Sequence, residues 1–111
     1  MLVLTNVGAA YDSTAGSKGL GLGLVDFSGV TQVRVVLFVN KVGSGVQSWQ
    51  LWNVTDGAEI AVIADAGGTG DKLLDQTFAV NLVGEKLVRI RCKSTVAADD
   101  PVYYCGTILT K

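Results

Sequence analysis

The segment Gln32-Val33-Arg34-Val35-Val36-Leu37-Phe38-Val39-Asn40 constrains the fold more than any other part of the chain. It is dense in β-branched residues, which suit a pleated surface. Alternation puts Val33, Val35, Leu37 and Val39 on one face, while Val36 and Phe38 make part of the other face apolar as well. A strand apolar on both sides is expected in the middle of a sheet.

The rest of the chain repeats this theme. Further strands are predicted over residues 2–7, 20–27, 46–54, 59–64, 73–80, 86–93 and 102–109, and no stretch carries the 3.6-residue apolar period of an amphipathic helix. One short helical turn has room only at residues 71–76. Val42-Gly43-Ser44-Gly45 reads as a hairpin turn, because glycine takes positive φ without a steric penalty. Asp56-Gly57 reads as a second reversal, joining residues 46–54 and 59–64 into a hairpin. Residues 9–19 are a polar connector and 65–71 an exposed loop. In residues 86–93, Val88, Ile90 and Cys92 are expected inside, and Arg89, Arg91 and Lys93 form a basic ladder outside. In residues 46–54, Trp49 and Leu51 share the core side, and Trp52 and Val54 the other.

About eight strands, each apolar on at least one side, need a second layer to cover them. The expected fold is therefore all-β: a two-sheet antiparallel β-sandwich, with a jelly roll the favoured order. At 111 residues the chain suits one domain spanning residues 1–111.

The side-chain inventory narrows the chemistry. The chain has no histidine, which removes the usual base of Ser-His-Asp and Cys-His mechanisms, and a non-enzymatic role is expected. Asp65, Asp71 and Asp75 lie near Gly67, Gly68 and Gly70, yet they lack the ligand pattern of a calcium loop. Gly16-Ser17-Lys18-Gly19-Leu20-Gly21 resembles a phosphate loop only superficially, since its lysine precedes the second glycine and strand alternation follows. No metal or cofactor is expected. Cys92 and Cys105 lie near opposite positions if the last two strands pair, so buried thiols and a disulfide both stay open. A net charge of −1 carries no basic excess for a nucleic-acid backbone. The N-terminus has no basic head or continuous apolar core of a secretion signal, and no apolar run is long enough for a membrane helix. Only 17% of residues are charged, which favours association with a partner.

Two resemblances bear on function. Asp99-Asp100-Pro101-Val102-Tyr103-Tyr104-Cys105 resembles the segment around the second cysteine of immunoglobulin variable domains, but both tryptophans precede Cys92, against that family's order. Residues 25–34, followed by Val42-Gly43-Ser44-Gly45, Leu51-Trp52-Asn53-Val54-Thr55-Asp56-Gly57 and Leu82-Val83-Gly84-Glu85-Lys86, are similar to jelly-roll accessory modules of tailed-phage virions. That resemblance implies a capsid decoration or tail/neck appendage protein, assembled in the host cytoplasm, that self-associates as a homotrimer and contacts a major capsid or other virion protein.

Candidate contact residues are Trp52, Gln50 and Gln47, the basic ladder Arg89, Arg91 and Lys93, and the loop residues Asp65 and Asp71. The N-terminal segment 2–14 is a further candidate. The alternative is a carbohydrate-binding module in which Trp52, Gln50 and Gln47 line an exposed groove.

Overall fold

A computed structural model describes residues 2–4, 7–12 and 21–111. Within them run eight strands: β1 (Leu2–Val3), β2 (Gly21–Asp26), β3 (Gln32–Lys41), β4 (Gln47–Asn53), β5 (Ala58–Asp65), β6 (Gly70–Ala79), β7 (Glu85–Ser94) and β8 (Val102–Thr110). They pair in a nested series: β1 with β8, β2 with β7, β3 with β6, and β4 with β5, all antiparallel. The chain is thus one ribbon doubled back at the β4–β5 turn. Rolling that ribbon brings β3 against β8 and β4 against β7. Two four-stranded sheets result, ordered β1-β8-β3-β6 and β2-β7-β4-β5, consistent with a jelly roll.

The central place expected for β3 is found, between β6 and β8. Val33, Val35, Leu37 and Val39 are all buried and meet Trp49, Leu51, Val88, Ile90 and Cys92 from the other sheet. Leu4, Val7 and Phe27, outside the strands, are fully buried in the same core. Two members of the N-terminal segment expected as a contact surface therefore belong to the interior instead.

The structure corrects several local expectations. Residues 42–45 do not close a hairpin, because β3 and β4 lie in different sheets and this segment crosses between them. Its glycines serve another purpose. Gly43 has φ +84°, and a Cβ there would fall 1.8 Å from Oδ1 of Asp99; one at Gly45 would fall 2.8 Å from Oδ2. The buried Asp99 carboxylate accepts from the Gly45 N–H (3.1 Å) and the Ser94 hydroxyl (3.0 Å), tying the β3–β4 crossing to the β7–β8 loop. Residues 71–76 are strand, paired along β3, and not helical. The exposed loop shrinks to residues 66–69: Asp65 ends β5 and is buried, while Asp71 lies within β6. β7 is interior to its sheet, between β2 and β4. Most of the glycine-rich segment 16–21 lies outside the described residues.

β7 and β8 belong to different sheets, so the pairing that would have opposed the two cysteines does not form. Both are free thiols, Cys92 buried and Cys105 exposed. Burial pushes the Cys92 thiol far above its ordinary pKa and keeps it protonated.

Two measurements check this packing. Gly43→Ala should lower stability by about 1–3 kcal/mol from the left-handed backbone alone, with the Asp99 clash adding to it, in urea unfolding curves. A small thiol reagent should label Cys105 in the native chain and Cys92 only after denaturation. Rapid native labelling of Cys92 would contradict its burial.

Candidate interaction surface

The outer face of the β2-β7-β4-β5 sheet gathers five of the residues expected from sequence. β2 pairs with β7 only as far as Arg89. Beyond it the N-terminal segment continues the edge: Asp12 exchanges backbone hydrogen bonds with Cys92 (2.8 and 3.2 Å), and the Ser94 N–H donates to Gly8 (3.1 Å). This pairing carries Tyr11 over the basic ladder. The Arg91 guanidinium lies 5.4 Å from the Tyr11 ring centre and 3.9 Å from that of Trp52. Lys93 places its ammonium 4.5 Å from Tyr11.

Register explains the rest of the cluster. Arg91 stands opposite Gln50 on β4 and donates Nε–H (2.8 Å) and an Nη2 hydrogen to its Oε1. Gln50 in turn donates from Nε2 to Glu59 on β5 (2.9 Å), so a polar chain crosses three strands. Trp52 stands between Arg89 and Glu59 in the same register. Burial, and then the charge of Arg89, lower the Arg91 pKa. A guanidinium nevertheless stays charged. The ladder is therefore an organised, half-buried row of cations and not a set of freely solvated side chains.

An exposed sugar groove is not what this arrangement provides. Arg91 lies over the Trp52 ring, Gln50 is only 4% exposed, and Gln47 is fully buried. Gln47 donates to the Val42 carbonyl. Asp65 is also interior: its Oδ1 accepts from Lys72 (2.6 Å) and from the Gly67 N–H (3.1 Å). Lys41, likewise buried, donates to the Gly67 carbonyl and closes this end of the sandwich. These residues hold the fold together at one end. Among the described residues, no three His, Cys, Asp or Glu side chains group to hold a metal ion.

Asp71 lies on the other outer face, with partners that sequence reasoning missed. Phe38 on β3 stacks on Tyr104 of β8, ring centres 4.7 Å apart and planes 25° from parallel. Asp71 accepts from Asn40 (2.7 Å) and from the Tyr104 hydroxyl (2.9 Å), which hold its carboxyl below the usual pKa. Leu73, paired with Phe38, is 66% exposed. Alternation along β3 already signalled an outward Phe38. Tyr104 had no such signal, because β8 carries a bulge: Phe38 pairs with Cys105 and Val39 with Tyr103, leaving Tyr104 as the extra residue. Tyr103 consequently turns into the core beside Trp49, with its pKa pushed up to about 12 by burial.

No known protein family, curated protein or solved structure matches this chain.

Arg91→Ala should cost about 1–2 kcal/mol, because it unstacks Trp52 and leaves the Gln50 carbonyl without its donor. Near-ultraviolet circular dichroism should show a reorganised tryptophan environment in the folded variant. An unchanged signal together with unchanged stability would mean that the cluster contributes nothing.

Proposed function

We propose that this protein is a non-enzymatic structural module of a tailed-phage virion, a capsid decoration or appendage protein that works through self-association and contacts with the shell. The observation that carries the reading is the pair of chemically distinct outer faces on one sandwich. One presents cations ordered by Tyr11 and Trp52, the other a stacked Phe38–Tyr104 pair beside exposed Leu73. Broad faces of this kind suit assembly by many modest contacts, which avidity multiplies in an oligomer. The virion setting draws on the sequence motifs Val42-Gly43-Ser44-Gly45 and Asn53-Val54-Thr55-Asp56-Gly57, and a jelly-roll strand order is compatible with it.

Within this reading, the partners are other copies of the chain, as a trimer, and a major capsid or other virion protein. The sandwich supplies a rigid scaffold, so the faces meet their partners without first having to order themselves. Its site of action is the assembled particle.

Native mass spectrometry across concentration tests self-association, and a closed trimer is the expected species. Binding to particles stripped of the protein tests the shell contact. Saturable rebinding is expected, and failure to rebind under conditions where the chain is folded would overturn the virion role.

A further inference from the structure

The two outer faces match one another in charge and in spacing. On β6, Asp71, Leu73 and Asp75 occupy alternate positions, with Asp71 and Asp75 four residues apart. On β7, Arg89, Arg91 and Lys93 do the same, with Arg89 and Lys93 four residues apart. At about 3.3 Å per strand residue, both outer pairs span about 13 Å. The middle positions also fit. Leu73 is an exposed aliphatic side chain, and the rings of Tyr11 and Trp52 beside Arg91 offer an apolar surface for it.

Each carboxylate has partners on its own face. Among the described residues, the hydrogen bonds to Asp71 come from the neutral donors Asn40 and Tyr104, which do not cancel its charge. Asp75 binds Arg34 through both oxygens, but that pair is open to solvent, with the Arg34 side chain 50% exposed. The pair is bidentate and therefore well formed, but its exposure leaves it screened by solvent and open to a second cation. Beside this column the Phe38–Tyr104 stack extends the apolar part of the face.

We propose that the Asp71, Leu73, Asp75 column of one copy docks onto the Arg89, Arg91, Lys93 ladder of a second copy. The proposal rests on the self-association reading above and specifies its geometry. The contact joins unlike faces, so it is head-to-tail. Repeated, it closes into a ring or continues as a filament, according to the rotation between neighbours. Unlike charges in register also steer the approach and disfavour pairing of like faces.

The test uses the full chain and two charge-reversed variants, D71K/D75K and R89E/K93E, with circular dichroism to confirm folding. Wild-type self-affinity, followed by sedimentation and native mass spectrometry, should fall at least about tenfold between about 50 mM and about 500 mM salt. Each variant alone should be monomeric, and an equimolar mixture should regain assembly, because each supplies the face that the other has lost. Leu73→Lys, at an exposed position, should also weaken assembly and serves if a reversed variant fails to fold. Assembly that persists in either folded reversed variant or in Leu73→Lys overturns this docking while leaving self-association intact. A wild-type chain that stays monomeric at every concentration overturns both.

Discussion

Most strands of this chain have one strongly apolar side, and that side cannot stay in water. Another sheet made from the same chain covers it, so the first consequence of the apolar pattern is a pair of layers. Nested pairing of β1 with β8, β2 with β7, β3 with β6 and β4 with β5 meets this need with a single rolled ribbon. Everything at the surface follows from that roll. It puts β7 beside β4, which aligns Arg91 with Gln50, and it puts β8 beside β3, which aligns Cys105 and its bulged neighbour Tyr104 with Phe38.

The polar groups inside the sandwich mark where the roll needs fastening. Asp99 locks two loops at once because Gly43 and Gly45 leave room for its carboxylate. Lys72 and the Gly67 N–H satisfy one oxygen of the buried Asp65, and Lys41 caps the same loop at the Gly67 carbonyl. A charge buried in this way requires a partner close by. Asp65 and Asp71 read alike in the sequence as loop carboxylates, yet Asp65 is buried and Asp71 reaches the surface.

The cation ladder illustrates how a surface feature gains structure from neighbours distant in sequence. Alternation alone places Arg89, Arg91 and Lys93 outward. The backbone pairing of Asp12 with Cys92 and of Gly8 with Ser94 brings Tyr11 across them, and the β4–β7 register sets Gln50 opposite Arg91 and Trp52 opposite Arg89. A row of mobile cations becomes an ordered one, which lowers the entropy lost when a partner binds.

Much of the fold was legible because period-two alternation is a local property. The all-β class, the central position of β3, the β4–β5 hairpin and the inward Val88, Ile90 and Cys92 could each be read from neighbouring residues. Alternation also set the outward side of Gln50 and Trp52 on β4 and of Arg89, Arg91 and Lys93 on β7, while the β4–β7 pairing joined them on one face. The remainder depends on which strands meet, and hydrophobic pattern alone does not encode partner or sheet. Residues 42–45 have the composition of a hairpin turn yet cross between sheets, and Cys92 and Cys105 end in different layers because β7 and β8 do not pair. Gln47 and Asp65 look like surface residues, but the roll folds that end of β4 and β5 inward. The bulge in β8 shifts alternation by one residue and turns Tyr103 in while Tyr104 stays out. By itself, the sequence determined which residues need covering; tertiary structure decided what covers them, because strand pairing is long-range and each register choice reassigns a whole face.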